Sequence, residues 1–400
     1  MRGFMVNRRF ILLALACALH AIAPAAPAAA TSAVANPFAT GVFSTVAGIT
    51  PPAPTVPPDR TEGLTDAQLA GQRIVYGFSG RTAPPALLQR IRQGRAAGVI
   101  LFSYNIGTRA QIRRLVASLQ RAAEDRDLPE ALRAPLLIMV DQEGGQVRRL
   151  PGSPTVSPAE IGRDGRTSMA FGAGRAAGQN LAGVGINVNL APVVDVARSG
   201  SVIGRFERSF GSDVAKVSRL GSAFVRGLES AGVQATPKHF PGLGAAKVNT
   251  DVAHVTINLP VSTLRRVDET PFANAIRAGA DLVMVSSAVY PAFGPRVPAA
   301  FSRPIVEGEL RERLGFGGVV VTDALGTPGL AGYGTPRQQA ERAAGVSVDV
   351  LLYSNGYEQG TRGATYLEQA LRAGRLDRDE FEQSVNRVIA LREAIEAADN

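Results

Sequence analysis

Tryptophan is absent from these 400 residues, cysteine occurs once and histidine three times. A single cysteine excludes a disulfide framework within the chain, and with it any zinc or iron–sulfur site built on cysteine ligands. The histidines, His20, His239 and His254, are too few for a multi-histidine metal centre. Also missing is any lysine- and arginine-rich block with interleaved aromatics, so nucleic acid is not an expected partner despite a net charge of +9. The positive excess is spread along the chain beyond Arg2, Arg8 and Arg9, which suits an acidic setting such as a cell envelope. What is present, 45% hydrophobic and 19% charged residues, is a globular composition. The length far exceeds what one hydrophobic core requires.

Arg8-Arg9 leads into an apolar run from Phe10 to Leu19, then into Ala/Pro-rich sequence with Ala-x-Ala cleavage options at Ala28–Ala30 and near Ala35. Residues 1–30 therefore predict a secretory signal peptide. The apolar run falls well short of the ~20 residues of a spanning helix and breaks at Pro24. Cys17 offers lipid attachment as a minor alternative, although Ala14-Leu15-Ala16 before it matches a lipid-attachment box poorly. Ordinary cleavage would leave an exported chain without cysteine, as an oxidising compartment allows. Residues 31–62 place Pro51-Pro52-Ala53-Pro54 and Pro57-Pro58 among Ala, Thr and Val and predict an extended linker. The folded domain is expected over residues 63–400.

From Leu64 the pattern alternates between short apolar runs and amphipathic stretches. Strands are predicted at Ile74–Phe78, Gly98–Phe102, Leu136–Val140, Ile186–Val193, Gln234–Thr236, Leu282–Val285, Val319–Val321 and Val348–Leu352. Each is short and rich in β-branched residues or Leu, as parallel strands buried on both faces are. Helices are predicted between them, as at Gln111–Ala123, where Ile112, Leu115, Val116 and Leu119 share one face. Others cover Met169–Ala182, Val214–Glu229, Leu264–Ala278, Ser302–Leu314, Pro336–Ala344 and Tyr366–Ala373, and Arg378–Ala398 closes the chain. Eight such units predict an α/β fold of the (β/α)8 TIM-type barrel class, in a single domain. A doubly wound sheet would want a Gly-x-Gly-x-x-Gly turn after its first strand, and there is none.

In a barrel the functional residues lie just after the strands. Asp141-Gln142-Glu143-Gly144-Gly145 with Arg149 forms a dense polar turn in which Asp141 could accept hydrogen bonds from substrate hydroxyls and Arg149 could donate them; a solvated salt-bridged loop is the bland alternative. Pro237-Lys238-His239-Phe240-Pro241-Gly242 is an irregular loop shaped by backbone rather than packing. Asp251 and His254 follow on the same loop. A carboxylate beside an imidazole makes a general acid/base near neutral pH, unless the two are exposed loop residues that never meet. Asp323, after a fully apolar strand and with no cation adjacent in sequence, suits a nucleophile or electrostatic stabiliser, with a buried structural role as the alternative.

These pieces in this order resemble glycoside hydrolase family 3, most closely its single-domain branch of bacterial β-N-acetylglucosaminidases. The matching segments are Gly98–Phe102, Asp141–Gly145 with Arg149, Asn189–Asp195, Arg208-Ser209-Phe210-Gly211, Lys238-His239-Phe240-Pro241-Gly242 and Thr322-Asp323. The resemblance implies a retaining glycosidase in which Asp323 is the nucleophile. Asp141, Arg149, Arg208, Lys238 and His239 would hold the sugar, and His254, oriented by Asp251, would be the acid/base. It also implies that no metal or organic cofactor is needed, that the partner is a carbohydrate, and that cell-wall association is open. A monomer is expected.

The sequence departs from the family pattern in three places: Leu243 replaces a second histidine, Asp251-Val252-Ala253-His254 holds one residue more than the usual Asp-Ser-His, and Ala324 follows the nucleophile where a second Asp is usual. The expected activity is removal of terminal β-N-acetylglucosamine from peptidoglycan fragments or chitin-type oligosaccharides. A β-glucosidase or β-xylosidase on the same fold, or a wall sugar-binding protein that has lost turnover, are the alternatives.

Overall fold

A computed structural model describes residues 59–399 apart from Arg126. The predicted signal peptide, Cys17 and the predicted linker as far as residue 58 lie outside the described residues. Strands β1 (Ile74–Tyr76), β2 (Gly98–Leu101), β3 (Leu137–Val140), β4 (Val188–Asn189) and β5 (Gln234–Ala235) pair in parallel in chain order. Beyond Thr236-Pro237 the same run resumes as β6 (Lys238–Phe240). It pairs with β7 (Leu282–Val285), and β7 pairs with β8 (Val319–Thr322). Pro237 has no N–H to give a ladder, which is why one strand position is written as two short strands. The last strand, β9 (Leu351–Tyr353), returns to pair with β1. Parallel bridges from Val193 to Lys238 and from Val321 to Val350 join the remaining edges and close the eight-position barrel.

Side chains along these strands alternate between two apolar clusters, the period of two that a barrel wall demands. Val75, Ile100, Met139, Met284, Val321 and Leu352 fill the interior. Their neighbours Tyr76, Leu101, Val140, Val285, Val320 and Tyr353 face outward into the larger cluster that the helices share. Each fully buried side chain of this kind stabilises the fold by about 1.5–3 kcal/mol.

The helix Arg378–Asp399 sends Val388, Leu391 and Ile395 into the interior cluster. Arg392 on it is buried and donates to the carbonyls of Leu132, Ala134 and Pro135, just before β3, and to Gln72, just before β1. Arg387 holds Asp349, just before β9, at 2.9 Å. All of these partners precede strands, so the helix seals the N-terminal end of the barrel. Only the opposite mouth is left for chemistry.

Two expectations need correction. The helix predicted at Tyr366–Ala373 starts earlier and spans Tyr357–Arg372. Gly360 and Gly363 masked its first half, because glycine is a poor helix former. Both are there for fit: a Cβ on Gly360 would stand 2.6 Å from the Tyr76 ring, and one on Gly363 would stand 2.5 Å from the Tyr353 hydroxyl. A helix at Pro85–Arg92, between β1 and β2, was not anticipated. Its apolar residues Leu87, Leu88 and Ile91 form too short a stripe to stand out from a window of that length.

Candidate active site

The C-terminal mouth of the barrel opens into a cavity of about 590 Å³, within the usual range for small-molecule sites. Ile100, Met284 and Leu352 from the top of the interior form part of its lining. Polar side chains from β6 and from the loops after β3, β4, β6, β8 and β9 make up much of the rest: Asp141, Arg149, Arg208, Lys238, His239, Asp251, Asp323, Ser354 and Asn355.

One side of the cavity is an interlocked set of charges. Lys238 Nζ lies 2.5 Å from Asp141 Oδ1 and 2.9 Å from Glu143 Oε1. Arg208 grips Glu143 with two parallel hydrogen bonds of 2.9 and 2.6 Å, and Arg149 stands 3.8 Å from Asp141. Burial pushes the Glu143 carboxyl up, but Arg208 and Lys238 outweigh it and hold the group at about 2. Burial pushes the Lys238 ammonium down; Asp141 and Glu143 reverse that and leave it raised. Glu143 and Lys238 are therefore both charged at neutral pH, and Asp141, in the cavity lining beside Lys238, is placed to accept sugar hydroxyls.

Local backbone places these groups. Asp141 ends β3, and the hairpin Gln142–Gly144 with Val147–Arg148 turns Glu143 inward. Gln142 and Asn189 exchange backbone–side-chain hydrogen bonds of 3.0 and 3.1 Å, clamping the tops of β3 and β4 together. Lys238 and His239 are joined by a cis peptide and both line the cavity. Buried Asp195 accepts three hydrogen bonds, from His239 Nδ1 at 2.8 Å, from His239 N at 3.2 Å and from Leu243 N at 2.6 Å. With Nδ1 donating to the carboxylate, the His239 ring is held in one orientation.

Asp323 sits at the end of β8, its N–H donating to Val285 O at 3.0 Å and one of its own carboxylate oxygens accepting from Ala324 N at 2.8 Å. Asp251 lines the same cavity. The charge of Asp323, with burial adding to it, pushes the Asp251 carboxyl up, while a hydrogen bond from Asn249 and the charges of His239 and Arg208 act the other way.

The expected Asp251–His254 pair does not form. Asp251 turns inward from a tight turn in which Asn249 receives its N–H at 3.1 Å and the N–H groups of Val252 and Ala253 return to Asn249 O. His254, beyond that turn, is exposed and packs edge-on against Tyr333 with ring centroids 5.1 Å apart. No hydrogen bond joins it to Asp251 among the described residues, and it is not part of the cavity lining. The extra residue between the two carries the imidazole outward, since each residue advances an extended chain by about 3.5 Å. The other candidates, Asp141, Arg149, Arg208, Lys238, His239, Asp251 and Asp323, are brought to one cavity.

A sequence profile described as the N-terminal domain of glycosyl hydrolase family 3 matches residues 82–391. The chain belongs to glycosyl hydrolase family 3. It is 40% identical over 335 residues to a protein of Arthroderma benhamiae described as an uncharacterized secreted glycosyl hydrolase, covering 82% of this chain and 93% of that one. It is 34% identical over 287 residues to a β-hexosaminidase of Xylella fastidiosa, covering 70% of this chain and 82% of the relative. A solved family 3 β-N-acetylglucosaminidase from Paenibacillus sp. str. FPU-7 superposes with a TM-score of 0.78 at 36% identity, over 83% of this chain. This chain spans 63% of the length of that one.

This family 3 glycosidase uses residues that sequence reasoning passed over. Glu143 was named only as part of a polar turn, yet it is the buried counter-ion of two cations. Asp195 was named only at the end of a matching segment, without its part in holding His239. Thr327 lines the cavity, and neither its buried hydroxyl nor the buried Nε of Arg149 has a hydrogen-bond partner in the protein. Nothing in the spacing marks Thr327, because the loop after β8 sets its direction. Among the described residues no group of three or more His, Cys, Asp or Glu side chains is disposed to hold a metal ion.

Proposed function

We propose that the chain is a retaining β-N-acetylhexosaminidase that removes terminal N-acetylglucosamine from peptidoglycan fragments or chitin-type oligosaccharides. The observation that carries this reading is the meeting of Asp323 with the Asp141–Lys238–Glu143–Arg208 cluster in one cavity at the barrel mouth. In this reading Asp141, Arg149, Arg208, Lys238 and His239 hold the sugar by its hydroxyls. Asp323 attacks C1, the leaving sugar departs with a proton, and water later cleaves the glycosyl–Asp323 ester. The family's β-hexosaminidase relatives support the choice of sugar.

Export completes the proposal. Residues 1–30 have the charge and hydropathy of a signal peptide, and one relative is described as secreted. Residues 63–400 would then be the catalytic domain, working in the periplasm, cell wall or medium.

Aryl β-glycosides of N-acetylglucosamine, glucose and xylose test the reading, with Asp323→Asn alongside. Turnover of the N-acetylglucosaminide above the others is expected, with a loss on the order of 10⁴-fold in the variant. Preference for glucose or xylose would overturn the choice of sugar. Sugar binding without turnover of any substrate would overturn the enzyme reading in favour of a wall sugar-binding protein.

A further inference from the structure

We propose that Asp251 itself, and not His254, gives the proton to the departing glycosidic oxygen. The proposal rests on the reading of Asp323 as nucleophile and departs from the Asp–His arrangement that the family resemblance implied.

Position argues for it first. Asp251 lines the cavity that holds Asp323, whereas His254 is exposed outside that lining and packed on Tyr333. The two carboxylates are also tied through their backbones. The Gly329 N–H, in the loop after Asp323, donates to the Asp251 carbonyl at 3.4 Å. A Cβ on Gly329 would collide with the Thr250 carbonyl, so only glycine lets the two loops approach this closely. The loop bearing Asp251 is therefore docked on the loop bearing the nucleophile.

Charge argues for it second. Retaining glycosidases need one carboxyl ionised to attack and a second protonated to donate. Two carboxyls sharing a site cannot both ionise easily, and the first proton comes off the one better stabilised. Asp323 receives the Ala324 N–H. Asp251 takes the opposing push from the Asp323 charge and from burial. The charged groups facing it are Asp323, His239 and Arg208, and Asn249 donates to its Oδ2 at 3.2 Å. Of the two, Asp251 is the carboxyl pushed towards its protonated form, and it faces the same cavity as Asp323.

The chemistry balances without another group. As Asp323 forms its bond to C1, the C1–O bond to the leaving sugar breaks and the Asp251 proton passes to that oxygen, releasing an alcohol. The Asp251 carboxylate then takes a proton from the water that attacks C1. Asp323 leaves as carboxylate and Asp251 is again an acid.

Substrates differing in leaving-group acidity test this. Asp251→Asn is expected to lower kcat/KM for the N-acetylglucosamine disaccharide by about 10²–10⁴-fold, and for a 2,4-dinitrophenyl glycoside by less than about 10-fold. Azide is expected to accelerate Asp251→Ala and to appear as the β-glycosyl azide, because a small anion can occupy the vacated carboxylate position. His254→Ala is expected to stay within about 2-fold on every substrate. The same leaving-group-dependent loss in His254→Ala would overturn the proposal, since Asp251 would then act through the imidazole. An equal loss on all substrates in Asp251→Asn, without azide rescue, would overturn it too by reducing Asp251 to a structural role. Failure of the nucleophile reading is separately visible, as retained turnover in Asp323→Asn.

Discussion

Arg208, itself in the cavity lining, holds the buried Glu143: its Nε and Nη2 both donate to that carboxylate, at 2.9 and 2.6 Å, and Lys238 shares it at 2.9 Å. Two cations on one fully buried carboxylate make Glu143 the keystone of the sugar-facing side.

Replacing it should therefore cost stability before it costs chemistry. Glu143→Gln keeps the shape but leaves Arg208 without its counter-ion, and a loss of about 3 kcal/mol is expected. The measurement is urea unfolding, with a lower midpoint at unchanged slope. The effect carries a pH signature. The folded carboxyl is held at about 2, below its ordinary 4.5, so its stabilising contribution is present above 4.5 and fades as pH falls towards 2. The difference between wild type and variant should shrink across that window; a constant gap would count against the ion cluster as its origin.

Glu229 predicts the opposite slope. Burial pushes its carboxyl up to about 8 from an ordinary 4.5, while its side chain accepts the Ala235 N–H at 2.7 Å. A raised carboxyl is best tolerated protonated, so its favourable contribution is full below 4.5 and is lost as pH rises through 8. Glu229→Gln keeps an acceptor without the charge. It is expected to unfold at higher urea than wild type at pH 8, by about 1–3 kcal/mol, and with a flatter pH profile. Parallel pH profiles for the two proteins would contradict this.

Asp195 separates positioning from charge. Asp195→Ala strands three donors and is expected to lose about 2 kcal/mol or more together with activity. Asp195→Asn keeps one acceptor but lets His239 take the other tautomer. It should fold nearly as well while losing kcat/KM by about 10-fold or more. Chemical-shift titration of the His239 ring would show the tautomer change directly.

Aromatic rings stand beside the charged groups in the cavity lining. Phe206 lines the cavity at 51% exposure, and Phe102, also in the lining, stacks on Tyr104 at 5.5 Å. Sugar rings present apolar faces that pack on such surfaces. Phe206→Ala is therefore expected to raise KM roughly 3–10-fold for tri- and tetrasaccharides, and little for aryl monosaccharides. Equal effects on both would place Phe206 beside the cleaved sugar instead of beyond it.

The barrel was legible because its strands are short apolar runs with nothing to confuse them. Leu282–Val285 matches residue for residue, and most other strands differ by one to three residues at an end. Asp141, Lys238, His239 and Asp323 could be picked out because a barrel sends strand ends to one mouth whatever the loops do. The direction of the His254 side chain could not be read for the complementary reason. Its direction depends on a turn held by Asn249 and on the docking of Gly329, neither of which one-dimensional spacing contains. The burial of Glu143 could not be read because it is a property of the hairpin and not of the tripeptide Asp141-Gln142-Glu143.

The helix that closes the barrel floor also sets an order of events during synthesis. The last barrel strand is complete at Tyr353, yet the interior stays open below until Val388, Leu391 and Ile395 have left the ribosome. Until then the nascent chain presents an unsealed apolar hollow with Asp349 lacking Arg387. Such a chain is held back from its final packing until its end is made.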